Sequence, residues 1–193
     1  MGKRTEDLIQ REAFRTLATH GYIMYTGRDH YSGVNRDNLE TESPGRSDMM
    51  FVKKVAAAIE IKAFGDNFKF DELRNNQIEW ALQYWQSKNH ANALYWIWVG
   101  AGTGRPNSKG FNRRYAWLIP LDDFLYYKNY VEQVANLSTI PLYPGQQKVE
   151  RIAVRERKLY ATRLFIFHEL RWVGNSKWEI PEDHAFRKTY QLI

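Results

Sequence analysis

The stretch from Gly45 to Gly65, "GRSDMMFVKKVAAAIEIKAFG", carries the decisive pattern of this 193-residue chain. It reads as two β-strands, roughly 48–52 and 55–63, joined by a turn at Lys53 and Lys54. Asp48, Glu60 and Lys62 interrupt an otherwise apolar pattern. Strand side chains alternate between faces, so Val55, Ala57, Ile59, Ile61 and Ala63 form a core face and Ala56, Ala58, Glu60 and Lys62 the opposite one. In the preceding strand Asp48, Met50 and Val52 share a face, and a tight turn brings Asp48 alongside Glu60.

Two carboxylates held close together repel, and each tends to keep its proton unless a cation intervenes. Magnesium meets that need, because it takes one or two carboxylates and completes its shell with water or phosphate oxygens. It lowers the pKa of a bound water and neutralises charge building on a phosphoryl group. A neighbouring lysine can orient or deprotonate that water. The chemistry implied is phosphodiester hydrolysis, with Asp48 and Glu60 as Mg2+ ligands, Mn2+ as an expected substitute, and Lys62 beside the water. The competing reading of Glu60 and Lys62 is an ion pair on an exposed strand. Against it stand the apolar flanks "AAAI" and "AF", where unpaired charge is costly. A second Glu-x-Lys, Glu156 and Lys158, lies in a run of charges and reads as a solvated face.

Working outward, residues 5–20 pattern as a helix with Thr5 as cap and Gly21 as stop, burying Leu8, Ile9, Ala13, Phe14, Leu17 and Ala18. Glu6 falls inside that stripe and Glu12 on its flank. "GYIMYT" (21–26) reads as a strand. Residues 27–46 have no usable period, and so long a connection in a compact domain points to function or mobility. A helix is predicted over 71–88 with Asp71 as cap, then strands at 92–100 and 115–121, then a helix opening at Asp122 or Asp123. The order α-β-β-β-α-β-β-α gives an α/β fold, a mixed central sheet flanked by helices. Residues 1–136 form the expected core domain, with 137–193 an extension that packs on it or makes dimer or DNA contacts.

Composition sets the outer limits. Hydrophobic residues make up 44%, with seven Trp, ten Phe and twelve Tyr, enough for a substantial core. The net charge of +6 and pI near 9.4 favour an anionic partner. The chain has no cysteine, which excludes disulfides, thiolate nucleophiles and Cys zinc sites. The five histidines contain no i,i+4 pair, so a histidine metal cage is unsupported. The charged start "MGKRTEDLIQRE" lacks the apolar stretch of a signal peptide, and "ALYWIWVGAG" is too short to span a bilayer. The expectation is a cytoplasmic protein without membrane association.

The arrangement helix–strand–"SD"–strand–"EIK"–helix resembles the PD-(D/E)XK nuclease superfamily, the restriction-endonuclease-like fold with an αβββαβ core. Ser47 stands where the motif's name has proline. "FKFDELRNNQIEWALQYW" is similar to the segment after the lysine in RecU-type Holliday-junction resolvases, where a helix bears a glutamine. The resemblance covers residues 5–120. It implies that Asp48, Glu60, Lys62 and Gln77 belong to one catalytic site, with Glu6 as a first-helix carboxylate because "TEDL" looks like the corresponding resolvase stretch. Glu12 competes for that role, since "REAFRTLATHGY" also resembles the first helix of archaeal resolvases. It further implies a Mg2+-dependent DNA endonuclease acting on branched or duplex DNA as a homodimer. The same core also serves sequence-specific restriction and homing enzymes, and a non-catalytic DNA-binding protein retaining the fold is the alternative from another class.

"GTGRPNSKG" (102–110) lacks the GK[ST] ending of a phosphate-binding loop and leads into a strand. As a basic loop it suits DNA-backbone contacts through Arg105, Lys109, Arg113 and Arg114, joined by Arg28, Arg36 and Arg46 of the first long loop. The aromatics of "LYWIWV" and "FLYYKNY" read as core, and Trp172 and Trp178 as support for a dimer or a DNA contact.

Overall fold

A computed structural model describes residues 3–25, 47–53, 56–64, 67–82, 95–102, 114–134, 139–141 and 165–192. The chain is mixed α/β, built on a five-stranded sheet. Helix α1 (Lys3–Leu17) leads into β1 (Tyr22–Tyr25), then β2 (Met49–Val52) and β3 (Ala56–Phe64). After a short β4 (Asn67–Lys69) and a 3-10 turn (Phe70–Glu72) come α2 (Asn75–Trp80), β5 (Tyr95–Gly102), β6 (Arg114–Pro120) and α3 (Leu121–Val134). The sheet order is β1-β2-β3-β5-β6, in which β3 and β5 run parallel and every other neighbouring pair is antiparallel. A parallel pair needs a crossover, and β4, the 3-10 turn and α2 lie on it.

Both faces of the sheet are covered. On one, α1 packs on Met49, Phe51, Ala57, Ile59, Ile61, Trp96 and Trp98. On the other, Ala58, Tyr95, Ile97, Val99 and Trp117 meet Phe64, Phe68, Phe70, Leu73, Phe124 and Phe165. Burial on both faces explains why β5 reads as an unbroken apolar run. The approach of α1 is close: a Cβ on Gly100 would lie 2.5 Å from Ile9 Cγ2, and one on Gly21 would lie 2.6 Å from the Phe51 ring.

Beyond α3, β7 (Thr139–Pro141) pairs with β4, and a hairpin of β8 (Arg171–Gly174) and β9 (Lys177–Glu179) precedes α4 (Ala185–Tyr190). The described residues 170–192 of this extension close the α1 face of the sheet, while Phe165 belongs to the core on the other face. Trp178, Ile180, Phe186, Tyr190 and Leu192 share one core with α1. The Trp178 backbone N–H donates to Thr16 Oγ1 at 2.9 Å, and the Trp96 indole to Tyr190 OH at 3.1 Å.

Several boundaries differ from the sequence reading for physical reasons. The helix expected from Asp71 begins at Asn75: Phe70 and Leu73 both turn into the core, which a 3-10 turn permits, and Arg74 is extended before the helix starts. Residues 83–94 lie outside the described part, as do all of residues 27–46. The buried stripe of α1 is rotated from the expected one. It runs through Ile9, Glu12, Ala13, Thr16 and Leu17, while Ala18 is exposed. Trp178, expected at a dimer or DNA contact, is a core residue because its indole N–H donates to the buried Glu12 Oε2 at 3.1 Å. Among the described residues no helix is long and apolar enough to cross a membrane.

Candidate active site

The alternation in β3 sets Ala58, Glu60 and Phe64 toward α2 and α3, opposite the α1 face occupied by Ala57, Ile59 and Ile61. The antiparallel register pairs Met49 with Ile59 and Met50 with Ala58. Asp48 stands one residue before this ladder, at the position that continued pairing would set opposite Glu60. The β2 ladder stops at Met49, and Asp48 caps it: its Oδ2 accepts from the Ile61 backbone N–H at 2.7 Å. The Ser47 hydroxyl donates to the Met49 carbonyl at 3.2 Å.

Glu60 is 2% exposed. A charge buried that deeply requires partners. Lys62 Nζ donates to Glu60 Oε1 at 2.7 Å, and the Gln77 amide donates to the same oxygen. Tyr95 OH donates to Oε2 at 3.2 Å. Lys62 Nζ also reaches Gln77 Oε1 at 3.3 Å. Burial pushes the Glu60 carboxyl above its ordinary range, although Lys62, Tyr95 and Gln77 all favour the anion. A second cation would relieve this tension.

Gln77 has two duties. Its Oε1 accepts from the Arg74 backbone N–H at 3.1 Å, which satisfies a donor at the start of α2, while its amide nitrogen reaches Glu60. The side chain therefore ties the first turn of α2 to β3.

The structure thus brings Glu60, Lys62 and Gln77 into one hydrogen-bonded cluster, with Asp48 across the ladder from it. The donor chemistry fits magnesium, which needs one or two hard oxygen ligands from protein and otherwise keeps water. Among the described residues no group of three or more His, Asp or Glu gathers. The Glu6 backbone belongs to α1, but its side chain lies outside the described residues. Glu12 does not fit the first-helix role. It is 4% exposed, on the opposite face of the sheet, and committed to Trp178. Arg28, Arg36, Arg46, Arg105, Lys109 and Arg113 lie outside the described residues, and so does the side chain of Arg114, which opens β6.

Tyr95 was hidden from sequence reasoning. In "LYWIWV" alternation separates Tyr95 from Trp96, but only the β3–β5 register shows which face carries Glu60. Burial, the Glu60 carboxylate and the Asp48 carboxylate together hold the phenol well above its ordinary pKa, so it stays a donor. Compared with known protein families, curated proteins and solved structures, the chain matches none.

Proposed function

We propose that this chain is a Mg2+-dependent DNA endonuclease of the PD-(D/E)XK type, acting by hydrolysis of phosphodiesters and selective for branched DNA as a homodimer. The observation that carries the reading is the gathering of Asp48, Glu60 and Lys62 at one end of the β2–β3 ladder, with Gln77 of the following helix on the same carboxylate. The mixed sheet, with its parallel β3–β5 pair and α2 on the crossover, supports the reading at the level of a mixed α/β fold.

In this reading Asp48 and Glu60 hold the cation, which supplies Lewis acidity to the phosphate and acidity to a bound water. Lys62, anchored between Glu60 and Gln77, orients the attacking water and offsets charge on the phosphate oxygens. Gln77 and the Ile61 backbone N–H keep the two carboxylates in place. The basic residues of the two long loops and the net charge of +6 suit contacts with the DNA backbone.

The test incubates purified protein with supercoiled plasmid and with a synthetic four-way junction, in Mg2+ or in EDTA. Cleavage that needs Mg2+ and is lost in Glu60→Ala is expected, with the junction cut faster than linear duplex. Binding without cleavage of either substrate would make the chain a DNA-binding module instead.

A further inference from the structure

Tyr95 opens β5 beside Ala58 of β3, on the Glu60 face of the sheet, and is 0% exposed. A buried phenol needs a hydrogen-bond partner, and this one donates to Glu60 Oε2 at 3.2 Å. The other oxygen, Oε1, is already engaged by Lys62 and Gln77. The terminal torsion of a glutamate is soft and broadly distributed, so its carboxylate plane is set by its bonds rather than by a rotamer well. Donors on both oxygens fix that plane. The phenol in turn is oriented by α2, because the Trp80 ring meets it edge-on with centroids 6.1 Å apart. A carboxylate oxygen accepting one bond retains a second lone pair, so the Tyr95 contact leaves Oε2 able to meet a cation.

We propose that Tyr95 is a positioning residue of the candidate site: its hydroxyl fixes the Glu60 carboxylate for a divalent cation shared with Asp48. This inference rests on the function proposed above. It separates the hydroxyl from the ring, since phenylalanine would fill nearly the same volume and keep the Trp80 contact. A core role for Tyr95 would survive that change, and a positioning role would not.

The experiment measures Mn2+ affinity by calorimetry on the full chain, alongside thermal unfolding, for wild type, Glu60→Ala and Tyr95→Phe. Removing a group that orients a metal ligand is expected to weaken Mn2+ binding by roughly tenfold. 4-Aminophenylalanine at position 95, which keeps the ring and an N–H donor, is expected to restore most of the lost affinity. 4-Fluorophenylalanine fills the hydroxyl's space, which preserves packing, but cannot donate, and is expected to leave Mn2+ binding weakened. That pair keeps the test decisive even where Tyr95→Phe does not fold. Equal affinity of the amino and fluoro variants, or wild-type affinity in Tyr95→Phe while Glu60→Ala abolishes binding, overturns this proposal and leaves the nuclease reading standing. Absence of Mn2+ binding in the wild type overturns both.

Discussion

The most quantitative consequence of the structure concerns His184, at the N-terminus of α4. Its Nδ1 accepts from the Phe186 backbone N–H at 3.1 Å, and its Nε2–H donates to the His168 carbonyl at 3.2 Å. Both ring nitrogens are committed, and the residue is 2% exposed. A proton added at Nδ1 would remove the lone pair that caps the helix. Burial lowers the pKa from 6.5 to about 4, against the opposing effects of the hydrogen bond to the His168 carbonyl and of Asp183, while the His168 ring adds to the lowering. Between those values the unfolded chain holds the proton and the folded chain does not, so stability falls as pH drops below 6.5. For one such group the loss is about 2 kcal/mol at pH 5 and about 3 kcal/mol at pH 4. His168 acts in the same sense: burial lowers its pKa to about 4, and its Nδ1 is buried without a hydrogen-bond partner among the described residues. Glu60, Asp123 and Glu169, raised by burial, act the other way, since the folded state takes up their protons more readily. A difference measurement isolates His184. Asparagine is among the best capping residues, so His184→Asn keeps an acceptor for Phe186 and removes the titration. Urea unfolding of both proteins at about pH 7.5 and about pH 5, at fixed ionic strength, is the assay. The wild type is expected to lose about 2 kcal/mol more than the variant between those conditions. The same loss in both proteins would refute the reasoning.

Two other substitutions separate scaffold from site. Glu12→Ala strips a buried acceptor from Trp178 and is expected to cost about 2 kcal/mol, lowering Tm by roughly 4–8 °C, while leaving cleavage per folded molecule unchanged. A catalytic loss without a Tm change would instead make Glu12 the first-helix carboxylate. Gln77→Glu keeps an acceptor for Arg74 N–H and Lys62 but replaces the donor to Glu60 with a like charge. It is expected to reduce the cleavage rate by at least about tenfold with α2 intact by circular dichroism, whereas unchanged cleavage would remove Gln77 from the site.

Half of the site's main axis was readable, because period-two alternation places Glu60 and Lys62 together. The register was not, since Val52 pairs with Ala56 across three intervening residues, whereas a two-residue turn at Lys53 and Lys54 would have set Asp48 opposite Ile59. What else stayed hidden depends on long-range contacts. The β4–β7 pairing joins Phe68 to Ile140, and nothing local in either segment announces the other. Glu12 looked peripheral because α1 was phased on apolar residues alone; its burial comes from Trp178, 166 residues away. Tyr95 needed the β3–β5 register before its face was known. The weak pattern after residue 137 reflects an extension that buries Phe186, Tyr190 and Trp178 against α1 rather than forming a layer of its own.

The central claim is joint possession of one cation by Asp48 and Glu60, and the most direct measurement is anomalous diffraction from crystals grown with Mn2+. The expected result is a single strong peak bonded to oxygens of both side chains at about 2.1 Å. A peak bonded to neither residue, in protein that still cleaves DNA when Mn2+ is supplied, would contradict it.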